Sequence, residues 1–162
     1  WKGCRFYEGL VRVPLIFSWP GHIQANLQSD ALVELIDMSA TTLEIGGVDL
    51  PEDFQGRSLM PILNGDAKPG HHRDFVRSEY YDALDVSRLT YATMYRDRRY
   101  KLVSYHAHNL GELYDLKNDP WEFNNLWGAP ETRDLKYTLL EASFNTTMMQ
   151  SLDVGPRRIA PM

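Results

Sequence analysis

The stretch Trp1-Lys-Gly-Cys-Arg-Phe-Tyr-Glu-Gly-Leu-Val-Arg-Val-Pro-Leu-Ile-Phe-Ser-Trp-Pro-Gly21 poses the fold question for this chain. It opens on a polar, glycine-punctuated loop. It then runs into Val11, Val13, Leu15, Ile16 and Phe17, a nearly continuous apolar run. Such a run predicts a strand over residues 11–17 that is buried on both faces. Pro14 lies inside it and cannot donate to a ladder, so the strand is expected at an edge or paired on one side only near Pro14. Trp19-Pro20-Gly21 ends it in a turn. A loop at the mouth of a core strand is an unusual place for a chain to begin, and the expectation is a part of a larger whole.

Working outward, residues 32–36 predict a second short apolar strand. Asp37 is then the expected N-cap of a helix over about residues 38–45, which Gly46-Gly47 end. Asn64 to Gly70 is rich in turn formers and marks the clearest break. Beyond it, strands are expected over residues 75–81, 89–95, 99–105 and 112–116, the middle two forming a hairpin about Arg96-Asp97-Arg98. Lys117-Asn118-Asp119-Pro120 is turn chemistry. Leu135, Leu139, Leu140, Phe144, Met148 and Leu152 recur near helical spacing and predict a helix over residues 132–152. The expected class is α/β, as an α+β fragment. Residues 1–65 would belong to a larger α/β domain, and residues 66–162 would form a four-stranded antiparallel sheet covered by the C-terminal helix. On this reading residues 71–152 can close their own core, whereas residues 1–65 need a larger sheet.

Composition narrows the function. The chain has 162 residues, 43% of them hydrophobic, with a formal net charge of -5. Lys and Arg are neither in excess nor gathered on one periodic face, so no nucleic-acid partner is expected. No apolar run reaches the roughly 18 residues that span a membrane, so no membrane partner is expected either. The single cysteine, Cys4, excludes an internal disulfide framework. Asn145-Thr146-Thr147 fits a glycosylation sequon but falls in the predicted helix.

Lys2-Gly3 followed by Tyr7-Glu8-Gly9, Arg12-Val13-Pro14 and Trp19-Pro20-Gly21-His22 resembles the stretch after the active site in type I sulfatases. These are the formylglycine-dependent sulfate-ester hydrolases of the alkaline phosphatase superfamily. Leu32 to Asp37 with Thr41-Thr42-Leu43 resembles the family's strand-Asp-helix segment. Gly56-Arg57-Ser58-Leu59-Met60-Pro61 resembles its Gly-x-Ser-Leu-x-Pro loop. Tyr100-Lys101-Leu102, Glu112 to Leu116, and Asp119-Pro120-x-Glu122-x-x-Asn125-Leu126 resemble its C-terminal subdomain. Each motif alone is weak; their order makes the set specific.

The resemblance implies that Lys2 is catalytic. In that family a hydrated aldehyde attacks sulfur while a divalent cation, usually calcium, holds the sulfate. A fixed ammonium stabilises the charge that builds on the sulfuryl and leaving oxygens. Without the resemblance, Lys2 reads as a solvated surface lysine. Calcium and formylglycine would belong to the parent enzyme, with no ligand from this chain. Cys4 is followed by Arg5-Phe6 and does not fit the family's Cys/Ser-x-Pro-x-Arg nucleophile motif. Leu10 stands where the family commonly has a second glycine.

The implied partners are an N-terminal catalytic portion of the same enzyme and a sulfated small molecule or glycan. The isolated chain is expected to be inactive. Periplasmic, secreted and lysosomal locations all accord with the family. His71 and His72, at the expected junction, are candidate substrate contacts. Glu8 and Arg12 are expected to pair and brace the loop. His106 and His108 have strand-end spacing that suits a metal, though no third ligand is near. Arg96 to Arg99 forms a basic cluster for an anionic glycan or, more simply, a solvated hairpin tip. Two other functions stay open: a phosphodiesterase or phosphonate monoester hydrolase of the same superfamily, and a non-catalytic module that binds glycan or a partner.

Overall fold

The computed structural model describes residues 5–82 and 90–152. The chain divides into two compact units, residues 1–19 with 73–140, and residues 20–72 with 141–162.

The first unit is built on an antiparallel sheet of four strands in the order β1-β2-β3-β4. The strands are β1 (Phe75–Tyr81), β2 (Tyr91–Asp97), β3 (Tyr100–Tyr105) and β4 (Leu110–Asp115). The hairpin turn is where the sequence places it: Asp97 Oδ1 accepts the Arg99 and Tyr100 N–H groups at 2.7 and 2.6 Å. This local side-chain acceptor fixes a tight reversal between β2 and β3. Met94 stands opposite Val103, and Val103 opposite Glu112.

Simple alternation fails in the middle of the sheet. Lys101, Leu102 and Val103 are consecutive and all buried, as are Glu112, Leu113 and Tyr114. A strand buried at consecutive residues is covered on both faces. One cover is the segment that begins at Arg5 and includes the short helix α1 (Glu8–Val11). Phe6 packs with Ala92, Met94 and Val103 in one cluster, with Val11, Tyr80 and Tyr105 against it. The expectation that residues 71–152 close their own core is therefore corrected, because Phe6 supplies part of it. Tyr95, Leu102 and Leu113 lie on the opposite face, with Tyr95 stacked on Phe75 at 5.4 Å between centroids.

The outer edge of β4 is not left open. Leu126 N–H donates to Leu113 O at 2.8 Å, and the Leu113 N–H donates to Asn125 Oδ1 at 3.0 Å. Asn125 Nδ2 also donates to Gly111 O at 3.1 Å. These bonds shield an edge that would otherwise pair with another chain. The Trp127 ring lies where a Cβ on Gly111 would be, which is why β4 has a glycine there. Helix α4 (Arg133–Leu152) follows the predicted span. Its Lys136 donates to Trp127 O at 2.9 Å and lies over the Trp127 ring. Leu139 is buried, but Phe144 and Met148 of the predicted apolar stripe are exposed.

The predicted strand over residues 11–17 is not formed. Residues 12–19 have no regular structure, and Val13, Leu15 and Ile16 are exposed. A doubly buried strand needs strand neighbours on its edges and cover on both faces, and among the described residues no strand pairs with this run.

In the second unit, α2 (Leu35–Ile45) begins earlier than predicted. Its N-cap is Glu34, and Asp37 is the N3 residue that accepts the Glu34 N–H at 2.9 Å. The predicted strand over residues 32–36 reduces to a single bridge at Leu32. Asp37 Oδ1 also accepts the Arg57 N–H at 2.8 Å. Thr41 Oγ1 donates to Asp37 O and accepts the Leu59 N–H at 2.9 Å. The Gly56-Arg57-Ser58-Leu59 loop is thus zipped along α2. Gly56 is buried so close to the Ile36 carbonyl that no side chain fits. The helix α3 (Met60–Leu63) continues from that loop, with Pro61 in its first turn. No described helix is long and apolar enough to cross a membrane.

Phe6→Ala should lower the unfolding free energy by about 3–5 kcal/mol, as loss of a buried aromatic does. Urea denaturation measures it, and an unchanged midpoint would remove Phe6 from the core. Gly56→Ala should also destabilise, because backbone of α2 cannot yield as a side chain would.

Candidate functional site

Lys2 lies outside the described residues, as does Cys4. The segment that follows Lys2 is described from Arg5 onward, and it is held to the sheet residue by residue. At the centre is Lys101, whose side chain is wholly buried. Its ammonium donates to Phe6 O at 2.8 Å and to Glu122 Oε1 at 2.6 Å, and lies 2.7 Å from Glu8 Oε1. Three acceptors match the three donors of an ammonium group. Glu122 uses its other oxygen, Oε2, to accept the Glu8 N–H at 2.6 Å. Arg96 Nε donates to Glu8 Oε1 at 3.0 Å. The cluster of Lys101, Arg96, Glu8 and Glu122 balances two positive against two negative groups.

The loop after β4 delivers Glu122 to this place. Asp119 accepts the Phe123 and Asn124 N–H groups at 3.1 and 2.8 Å and so winds the backbone into a tight turn. Glu122 sits at φ +60°, in the left-handed region that non-glycine residues rarely enter. The turn sends Glu122 inward while its neighbours Trp121 and Phe123 stay exposed. Backbone in such a region costs on the order of 1–3 kcal/mol and persists only where surroundings enforce it. Here the buried ion pair enforces it.

A second anchor lies beside the first. Arg5 Nη1 donates to Glu112 Oε1 at 2.8 Å and to Tyr105 Oη at 3.0 Å. Glu112 also accepts from Tyr105 at 2.8 Å and from Tyr114 at 3.3 Å. Burial raises both phenols well above the ordinary tyrosine range, and the Glu112 carboxylate adds to it. Both hydroxyls therefore stay protonated and donate to Glu112. For Glu8, burial pushes the carboxyl upward, but hydrogen bonding and charge from Lys101, then from Arg96, outweigh it. The net result lies below the ordinary value of 4.5. Glu8 thus pairs with Lys101 and Arg96, which corrects the expected Glu8–Arg12 pair; Arg12 is exposed.

The two candidate histidines have different surroundings. His71 is exposed. His72 has a side chain only 8% exposed, with Nε2 3.3 Å from Oδ2 of the fully buried Asp37. Asp37 therefore joins a helix start to the Arg57 N–H through one carboxylate, with the His72 imidazole alongside it. In the sequence Asp37 is legible as a helix cap and as part of the strand-Asp-helix segment, not as a joint between distant residues.

The basic cluster at the hairpin is dispersed by pairing, since Arg96 turns to Glu8 and Arg99 to Asp115 at 2.8 Å. His106 and His108 occupy the turn between β3 and β4 rather than a strand end, and His106 Nε2 lies 3.0 Å from Thr93 Oγ1. Among the described residues no group of three or more His, Cys, Asp or Glu could hold a metal ion. The carboxylates of Asp37, Glu8 and Glu122 face backbone N–H groups and cations of the chain itself, a donor set that does not fit calcium.

Glu122→Ala should destabilise by about 3–5 kcal/mol, because it leaves a buried ammonium short of a partner. Lys101→Met combined with Glu122→Leu removes both charges and should recover part of that loss in chemical denaturation. The Glu8 contribution is fully present above pH 4.5 and is lost as pH falls through its lower folded value, since the unfolded chain takes up the proton first. Glu8→Gln should flatten that acid limb of the stability profile.

The sequence profile of the family described as N-sulphoglucosamine sulphohydrolase, C-terminal, matches residues 1–150. The chain is 35% identical over 159 residues to an N-acetylglucosamine-6-O-sulfatase of Bacteroides thetaiotaomicron, covering 96% of this chain and 28% of that protein. A solved structure in complex with its substrate D-glucosamine-2-N,6-O-disulfate superposes with a TM-score of 0.69 at 29% identity, covering 85% of this chain and 28% of the other. A phosphonate monoester hydrolase from Silicibacter pomeroyi superposes with a TM-score of 0.70 at 25% identity, covering 81% and 28%. The chain thus spans little more than a quarter of the length of these relatives. With the motifs in order, the antiparallel sheet with its C-terminal helix, and a profile match over residues 1–150, the chain belongs to the N-sulphoglucosamine sulphohydrolase C-terminal family, the C-terminal part of sulfatases of the alkaline phosphatase superfamily.

Proposed function

We propose that this chain is the C-terminal part of a sulfatase that hydrolyses sulfate esters of carbohydrates. In this reading residues 1–65 complete the main α/β domain and residues 66–162 form the C-terminal subdomain. An N-terminal catalytic portion of the same enzyme supplies the nucleophile and the metal ligands. The family match over residues 1–150 carries the reading, because it runs through the segment that bears Lys2. The amino-sugar disulfate named for a structural relative supports a sulfated glycan as the substrate class.

Lys2 is assigned to the sulfate pocket, where its ammonium stabilises negative charge on the sulfuryl and leaving oxygens in the transition state. A fixed cation of this kind acts most strongly where water is excluded. His71 is assigned to direct substrate contact. His72, whose ring lies 3.3 Å from the Asp37 carboxylate, is assigned to the same substrate contact. The exposed apolar residues Val13, Leu15 and Ile16 are assigned to the junction with the catalytic portion, which would supply the missing strand neighbours.

A second reading, a phosphonate monoester hydrolase, is favoured by the likeness to the Silicibacter pomeroyi enzyme. The two are separated by comparing kcat/KM of the full-length protein for an aryl sulfate, a sulfated glucosamine and an aryl phosphonate monoester. Sulfate esters should be preferred, and preference for the phosphonate would replace the first reading with the second. Turnover of none, with glycan binding that survives Lys2→Ala, would point to a binding module instead. Lys2→Ala in the full-length enzyme should lower kcat about 10²–10³-fold, as loss of one charge-stabilising donor does. The isolated 162-residue chain should not hydrolyse an aryl sulfate; turnover by that chain alone would overturn the division of labour.

A further inference from the structure

We propose that the sheet end formed by the β2–β3 hairpin and the loop after β4 is a binding site for a sulfated glycan chain. Trp121 and Phe123 are its stacking platform, and Arg98, Arg99 and Lys117 supply its positive charge. The choice of a sulfated glycan over another anion rests on the substrate class proposed above; the site itself rests on the geometry of the loop.

Trp121 and Phe123 are 78% and 81% exposed. A single apolar residue on a surface is ordinary, but two large aromatics flanking one buried residue form a patch. Among the described residues no ring contact holds either side chain. The backbone that carries them is nonetheless fixed. Glu122, between them, is anchored on the Lys101 ammonium at 2.6 Å, and Asp119 accepts the Phe123 and Asn124 N–H groups. The rings are thus presented to solvent from an ordered root, and a ligand that stacks on them need not order the loop first.

The cations reach the same loop. Leu116 N–H donates to Arg99 O at 2.8 Å and ties the hairpin to the loop's start. Arg99 Nε and Nη2 donate to Asp115 at 3.1 and 2.8 Å. The Lys117 N–H and Asn118 Nδ2 donate to the same carboxylate at 3.2 and 2.8 Å. The neighbouring acids are thereby turned onto donors of the chain: Asp97 onto the Arg99 and Tyr100 N–H groups, Asp115 onto the set just described, Asp119 onto the Phe123 and Asn124 N–H groups. The cations face outward, since Arg98 and Lys117 are exposed and the Arg99 side chain is 48% exposed. A pyranose ring has an apolar C–H face and a polar rim. Indole and phenyl rings match the face, and guanidinium and ammonium groups match sulfates on the rim. A small inorganic anion would leave the aromatics without a role, and a purely apolar partner would bury the cations.

The test uses the full-length protein, with a heparin-derived oligosaccharide and its desulfated counterpart as probes and Kd read by titration calorimetry. The sulfated probe should bind at least about tenfold more tightly than the desulfated one. Trp121→Ala should weaken binding of the sulfated probe about tenfold, as loss of an aromatic anchor does. Lys117→Glu should weaken it about threefold or more, with a loss that shrinks as salt is added. Both positions are exposed, so both variants should melt within about 2 °C of the parent protein. A Kd within about twofold of the parent for both variants would overturn the site, and so would equal affinity for the two probes. Trp121 should also be oxidised by N-bromosuccinimide in the full-length protein and protected by the sulfated probe, as read by peptide mass. A Trp121 already protected without the probe is covered by the rest of the polypeptide or a second copy, and that result also overturns the site. Probe binding that needs Trp121, in a protein that turns over no sulfate ester, would remove the hydrolase reading and leave the glycan site standing.

Discussion

The first unit depends on one buried ammonium. Lys101 has no contact with water, and removing a lysine from water is costly enough that it survives only with full pairing. Its partners come from two separated parts of the chain: Phe6 and Glu8 from the opening segment, and Glu122 from the loop after β4. Each bond that satisfies Lys101 therefore also closes a long loop. The loop entropy opposes this, but grows only slowly with length, so a few strong charge-assisted bonds and a buried phenylalanine ring can offset it.

This arrangement explains why the opening segment lies on the sheet and not free of it. Phe6 alone would bury an apolar ring and leave polar backbone beside it in the core. Lys101 takes the Phe6 carbonyl and Glu122 takes the Glu8 N–H, so the backbone enters an apolar environment with its hydrogen bonds made. The same loop that delivers Glu122 also delivers Asn125, which seals the edge of β4. The Asp119-Pro120-x-Glu122-x-x-Asn125-Leu126 motif is thus a structural instrument with two ends, one inside the unit and one along its edge.

In the second unit Asp37 has a comparable role on a smaller scale. One buried carboxylate starts α2, holds the loop at Arg57 and meets His72. Its partners also include residues distant in sequence, and they turn a helix-capping residue into the joint of the unit. Both hubs are charged side chains that a pattern of apolar residues treats as surface.

Much of the fold was legible in the chain itself. Strand β1, the β2–β3 hairpin, the span of α4 and the turn at Asp119 follow from local alternation, helical spacing and turn chemistry, which act over a few residues. The family was legible too, because its motifs keep their order along the chain. What alternation could not disclose was that Lys101 and Glu112, in polar positions of their strands, face inward. Nor could it disclose that residues 12–17 form no strand among the described residues, because a doubly apolar run states a need for neighbours without supplying them. The site was legible only as residue types, with Lys2 and the histidine pair given by resemblance, whereas the Lys101 cluster came from contacts spanning most of the chain. Local bonding is written in local sequence, whereas the burial of a charge depends on which distant groups arrive to pair with it, and only the tertiary structure decides that.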